Sequence, residues 1–483
     1  MKSLLKSHWL LLVLLALAQF MVVLDVSIVN VMLPTVRHAF NMSVTNLQWV
    51  VTAYTLTFGG FLLLGGRAAD LFGRRKVFLI GVTLFIIASL ADGLSQSGTM
   101  LIVLRGLQGL AGALMSPAAL SIVLVTYREG HERNLALSVW GAVAAGGAAV
   151  GVLLGGILTQ YLGWRWNFFV NIPIGFIVIY GVYNLAPKHE SEEKHSDLDL
   201  PGAISITASL MLLVYGLVKA PILGWTSRSS FIFFGLSVLL MAFFIWNENR
   251  SKHPLVPLSI FKIRNVAGAN GIQLMVAASL FSVFFFTTLY MQEILGYSPV
   301  KTGFSFLIIP FVIAITATIA PKLIQKVGFK PILIVAPLIT ATGLFILGHL
   351  PVQGSYFTHI MPGLIVMGLG LGVSFVTILV AATSGVAPKL SGLASGLVNT
   401  SQQVGGSLGL AILSGIAASA TTRYIVHAHS LSQYTIVSGT VHGYRTGFYI
   451  AVFFSIFASI VAAFVIKAPK KGNSKTSSRT VAI

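Results

Sequence analysis

Residues Trp9–Leu33 read WLLLVLLALAQFMVVLDVSIVNVML, an apolar run interrupted by one charged side chain, Asp25. A helix needs about 20 apolar residues to cross the hydrocarbon of a bilayer, so this run spans with length to spare. Lys2 and Lys6 ahead of it, and Ala16-Leu17-Ala18 inside it, give the outline of a signal peptide. The apolar stretch continues well past that site and reads as an uncleaved first membrane helix.

Thirteen further runs follow: Leu47–Gly66, Val77–Leu94, Met100–Thr126, Asn134–Leu158, Phe168–Leu185, Leu200–Val218, Ser229–Trp246, Val266–Met291, Gly303–Ala320, Pro331–Leu350, Phe357–Ala381, Leu393–Ala418 and Arg445–Ile466. The chain is 56% hydrophobic and 9% charged, where a soluble domain is about a quarter charged. The runs are continuously apolar, whereas strands of an outer-membrane barrel alternate over about ten residues. The fold class is therefore all-α and polytopic, mostly embedded in a lipid bilayer.

Lys and Arg report the orientation. With the N-terminus inside, Arg37, Arg165, Lys219, Arg228, Lys301, Arg423 and Arg445 fall outside and Arg105 lies within a span. All other Lys and Arg fall on the inner side, which places both termini in the cytoplasm. The net charge of +19 thus marks topology, and no nucleic-acid partner is expected. No cysteine is present, which removes thiol chemistry and disulfides. No phosphate-binding G-x-x-x-x-G-K-[ST] loop occurs, so the chain itself does not hydrolyse ATP. His427, His429 and His442 share a polar outer loop, Ser419–Tyr444, and are read as solvated, with no metal site.

The chain repeats itself. GRAADLFGRRK (Gly66–Lys76) follows the second span and APKLIQKVGFKP (Ala320–Pro331) follows the tenth; both are basic and both centre on a glycine, Gly73 and Gly328. Two six-helix bundles and two additional helices result: 1–186 the first bundle, 187–199 a charged cytoplasmic linker (PKHESEEKHSDLD), 200–247 the inserted pair, 248–265 a cytoplasmic loop, 266–467 the second bundle and 468–483 a cytoplasmic tail. Repeated halves with a substrate site between them are a recurrent transporter design.

Asp25 is the only acidic residue well inside a span. A carboxylate at such depth costs about 2.5–3.5 kcal/mol to insert, so it faces a cavity or a partner. Helix rise puts Asp25 roughly 13 Å and Arg105 roughly 9 Å from the outer surface, close enough in depth to pair, whether as a proton switch or as a static ion pair. Gly147, Gly151 and Gly155 recur every fourth residue and offer a smooth face for helix packing. Trp49 and Tyr54 in LQWVVTAYTL, together with Asn30, Gln108, Asn399, Gln402 and Gln403, are polar or aromatic groups on apolar spans and candidates for a substrate cavity. Glu293, at the end of the ninth span, is a further candidate or a solvated helix end. Of Phe284-Phe285-Phe286, at most one or two rings can face a cavity. A membrane-embedded enzyme would need converging nucleophiles and acids, which Asp25 and Arg105 do not supply.

Five segments together carry a resemblance to a known family: LDVSIVNVMLP (Leu24–Pro34), GRAADLFGRRK, LRGLQGLAGALMSPAAL (Leu104–Leu120), GGAAVGVLLGG (Gly146–Gly156) and ASGLVNTSQQVGGSLG (Ala394–Gly409). In this order, on these spans, the chain resembles the major facilitator superfamily, specifically its fourteen-helix drug:proton antiporters, nearly end to end. The resemblance implies a multi-pass protein of the bacterial inner membrane that exports small molecules, with protons as coupling ion, no other cofactor and no obligatory protein partner. It implies proton coupling at Asp25 and Arg105, and a conformational latch at Gly66, Asp70, Gly73, Arg74, Arg75 and Lys76. Two positions depart from the family pattern. Val152 follows Gly151 where exporters commonly carry proline, and Gln402 stands where members often carry arginine. The first departure leaves open an uptake carrier, or a lipid or metabolite transporter, on the same fold.

Overall fold

The computed structural model describes residues 2–187, 198–224, 226–387, 390–428 and 432–468. Most of the charged linker and nearly all of the C-terminal tail lie outside the described residues, as do His429 and the segment around it. Among the described residues there is no strand, and fourteen helical spans are long and apolar enough to cross a membrane. They are α1 His8–Ala39, α2 Val44–Phe72, α3 Arg74–Gly93, α4 Gly98–Thr126, α5 His131–Tyr161, α6 Trp166–Leu185, α7 Leu200–Ala220, α8 Arg228–Arg250, α9 Arg264–Ile294, α10 Pro299–Val327, α11 Phe329–Leu347, α12 Tyr356–Thr383, α13 Ser391–His427 and α14 Gln433–Val465.

An even number of crossings returns the chain to the side where it began. The face carrying the start of α1 and the end of α14 is called the terminal face below. Helix starts are capped where the sequence supplies a short oxygen: the side chains of Ser97, Ser227, Ser298 and Asp199 each accept a hydrogen bond from a backbone N–H three residues on. Such caps satisfy donors that the first turn leaves free.

The outer loop expected over Ser419–Tyr444 is mostly helix: α13 continues to His427 and α14 begins at Gln433. Hydropathy marks only the part of a helix in hydrocarbon, whereas backbone hydrogen bonding carries it on into water. Ser432 caps the start of α14 through Thr435 N.

The internal repeat has a matching geometry. Gly73 is the single residue between α2 and α3, and Gly328 the single residue between α10 and α11. Their φ angles are 94° and 79°, in the region that a Cβ disfavours. In the first half α1 packs on α5, and α4 on α2 and α3; in the second, α9 packs on α13 and α14, and α12 on α10 and α11. α7 and α8 pair with each other, and α7 rests on both α2 and α13, one from each half. The halves meet through α2 with α13 and α5 with α10. Thr55 and Ser407 share a hydrogen bond of 2.6 Å between them at mid-helix, and others lie away from the terminal face: Gln292 Nε2 donates to Val31 O at 2.8 Å, Val300 N to Gln160 Oε1 at 3.2 Å, and Arg37 pairs with Glu293.

Candidate functional site

Asp25 and Arg105 are brought together. Asp25 Oδ2 lies 2.6 Å from Arg105 Nη1, and its Oδ1 accepts from Gln108 Nε2 at 3.0 Å and Asn171 Nδ2 at 3.1 Å. Arg105 Nε donates to Val50 O at 3.2 Å, and Nη1 also serves Gln108 Oε1. The guanidinium lies over the Tyr54 ring, 4.3 Å from its centroid. Asp25, Tyr54, Gln108 and Asn171 are fully buried and Arg105 is 1% exposed, so no water shields the pair and its attraction is strong. Three donors thus converge on one carboxylate.

Local sequence explains the placement. Gln108 sits one turn from Arg105 and reaches the same carboxylate, as i,i+3 neighbours do. The glycine face of α5 lies along α1: a Cβ on Gly147 would meet Val23 at 3.3 Å, one on Gly151 would meet Ser27 at 2.7 Å, and one on Gly155 would meet Ile28 at 2.9 Å. Contact this close fixes the rotation of α1 and turns Asp25 away from α5 toward α4.

A cavity of about 550 Å³ lies between the halves. Asn30, Asn399, Gln402 and Gln403 line it, as do Gln19, Ser116 and Gln273, which sequence reasoning had not singled out. Phe58, Phe281 and Phe284 supply aromatic walls, while Phe285 and Phe286 are buried within the second half. Among the described lining residues none is Asp, Glu, Lys or Arg. The lining reaches Leu379, near the terminal-face end of α12 and 44% exposed. At the other face Arg37–Glu293 and the backbone contacts of Gly156 and Gly303 hold the halves together. The cavity faces the terminal side.

Four residues expected on the cavity wall lie elsewhere. Tyr54 and Gln108 belong to the ion-pair cluster. Trp49 packs at a tilt against Tyr215 of α7, with centroids 6.1 Å apart. Glu293 is engaged by Arg37 and is not a solvated helix end. Helical phase is the reason: Tyr54 and Phe58 are one turn apart with stacked rings, yet only Phe58 reaches the cavity. Two polar members of the cluster were missed. Asn171 bridges Asp25 and Ser89, whose hydroxyl donates to Phe168 O at 2.8 Å. Asp92 is likewise fully buried, so Asp25 is not the only enclosed acid. Its place at a span end kept it out of that expectation.

The glycine-rich loop touches its own half. Asp70 pairs with Arg74 at 3.3 Å, and Arg75 donates to Tyr183 O on α6 and lies 5.1 Å from that ring's centroid. Gly73 makes the turn, Gly66 faces Pro117 at 3.7 Å from an ideal Cβ, and Lys76 is exposed. α5 runs as unbroken helix through Val152.

Residues 15–410 match the Major Facilitator Superfamily. The chain belongs to that superfamily. It is a membrane transporter, and its fold is that of the superfamily's solved members. A puromycin resistance protein of Streptomyces alboniger is 40% identical over 92% of this chain and 88% of its own length. A cephamycin export protein of Amycolatopsis lactamdurans is 36% identical over 85% of each chain. A bacterial homologue of the human lysosomal transporter spinster, solved inward-facing and unoccupied, superposes with a TM-score of 0.68 at 14% identity, covering 94% of this chain and 96% of that one.

Proposed function

We propose that this transporter is a proton-coupled antiporter that exports small amphipathic, drug-like molecules by alternating access, with Asp25 as its protonation site. One observation carries the reading: α1 holds Asp25 against Arg105 on one face and presents Val22, Val23, Val26, Ser27 and Asn30 to the cavity on another. These faces are roughly a third of a helical turn apart. Protonation and substrate therefore need not compete for one spot. A proton on Asp25 removes the charge that binds α1 to α4, and the cavity wall moves with the helix. The relatives' names, puromycin resistance and cephamycin export, support outward transport of such compounds. Apolar walls with amide and hydroxyl groups suit amphipathic molecules recognised by shape and neutral hydrogen bonds.

The Lys and Arg distribution supports a bacterial inner-membrane location with the terminal face in the cytoplasm, so the described conformation is the inward-facing one. The lipid bilayer is then the only surrounding the chain needs, with no protein partner and no cofactor beyond protons. One charge moved through 100 mV yields about 2.3 kcal/mol, enough for substantial concentrative work. The test is puromycin export driven by a pH gradient in oriented vesicles. Asp25→Asn abolishes it under this account, and undiminished export by that variant removes the coupling site. Net inward flux in the same vesicles would instead establish the uptake carrier that Val152 leaves open.

A further inference from the structure

Asp92 stands one residue from the end of α3, on the side away from the terminal face. It is fully buried, and among the described residues both of its carboxylate oxygens lack a hydrogen-bond donor. It lies within electrostatic range of Arg105 and Asp25. Of the other charged or titratable groups on helices packed against α3, Arg67 and Asp70 of α2 and Tyr180 and Tyr183 of α6 lie toward the terminal face, far along their helices from Asp92. Tyr54 of α2 is stacked under Arg105. Arg165, ahead of α6, donates to Ser95 O and lies over Trp164. α6 itself presents the neutral amide of Asn171, already bonded to Ser89 and Asp25.

A buried carboxylate with no donor is not tolerated as an anion, since neither water nor protein replaces its lost hydration. The enclosed cluster holds one cation, Arg105, and two carboxylates, so it is neutral with a single proton. Asp25 has taken the guanidinium and two amide donors. We infer that Asp92 is a second proton-binding carboxylate of the transport cycle, holding its proton in this conformation and becoming the alternate anionic partner of Arg105 when Asp25 is protonated. This rests on the coupling role of Asp25 proposed above. In each arrangement one carboxylate is an acid and the other an anion beside the same guanidinium, so the cluster stays neutral while the proton changes place. Counted along α3 and α4, Asp92 is shallower than Arg105 by roughly 9 Å. It is the carboxylate nearer to water when the opposite face opens, and so the one that exchanges its proton there.

The experiment uses the full chain in proteoliposomes, with puromycin as probe. Infrared spectra in light and heavy water follow the carbonyl stretch of protonated carboxylic acids. A deuterium-sensitive band in the unmodified chain that Asp92→Asn removes and Asp92→Glu restores is the expected result. Asp92→Asn also flattens the pH profile of gradient-driven export and lowers its rate at least tenfold, while puromycin exchange without a gradient persists. A merely structural Asp92 would leave the pH profile in place, because asparagine preserves its shape. An unchanged band and an unchanged profile in Asp92→Asn overturn the inference, even where Asp25→Asn abolishes coupling. Full coupling in Asp25→Asn overturns the underlying reading instead, so the two failures are distinguishable.

Discussion

The two halves share a helix-turn-helix geometry at Gly73 and Gly328 but differ in what they enclose. Where the first, fourth and sixth helices of the first half bring together Asp25, Arg105 and Asn171, the corresponding helices of the second half, α9, α12 and α14, bury hydroxyls and rings. Ser279 meets Ser455 at 3.0 Å, and Phe286 packs on Tyr444 and Phe448 with centroids 5.6 and 5.9 Å apart. A buried ion pair changes energy sharply when one proton arrives, whereas a hydroxyl pair in an aromatic core has no such lever. Under the proposed coupling, switching belongs to the first half and a steadier counterface to the second.

Truncating each half's polar contact exposes the difference most plainly. Arg105→Ala leaves Asp25 buried and unpaired and lowers stability by about 3–5 kcal/mol, read as thermal unfolding in detergent. Gly151→Leu comes next. A Cβ there already meets Ser27 at 2.7 Å, so overpacking costs about 1–3 kcal/mol and, under the proposed function, turns Asp25 off Arg105, with gradient-driven export falling with it. Gly146→Ala, where a Cβ meets nothing within 4 Å, is silent in both measurements. Glu293→Gln weakens a half-buried clasp worth at most about 1 kcal/mol; its effect is a larger share of molecules open at the face away from the termini, seen by spin-label distances. The smallest change is in the second half. Ser279→Ala costs about 0.6 kcal/mol, as membrane hydroxyl contacts do, and leaves the pH profile of export where it was. A Ser279→Ala loss as large as that of Arg105→Ala would erase the contrast.

Much of this was legible beforehand. The apolar runs, the odd charges Asp25 and Arg105, and the paired glycine loops are each visible in single segments because membrane crossing forces long, uniform patterns. What stayed hidden depends on neighbours. Helical phase separates Phe58 in the cavity from Tyr54 under the guanidinium, and only the packing of α1 against α5 sets that phase. Asn171 carries no local signal at all. Asp92 sits where an apolar run ends, and hydropathy cannot tell a carboxylate entering water from one sealed beneath the next helix. The polar turns of α13 and α14 beyond the bilayer were read as loop for the same reason.

Because the chain has no cysteine, spin labels can be placed at Gln96→Cys and Gln353→Cys, exposed positions at the face away from the termini, one in each half. The distance between them, followed by pulsed electron resonance across pH, tests directly whether the charge on Asp25 governs which face is open. The expected result is a distribution that shifts with pH in the labelled chain and, in Asp25→Asn, stays at every pH where the labelled chain stands when most acidic. An Asp25→Asn chain that titrates as the parent does would contradict the account.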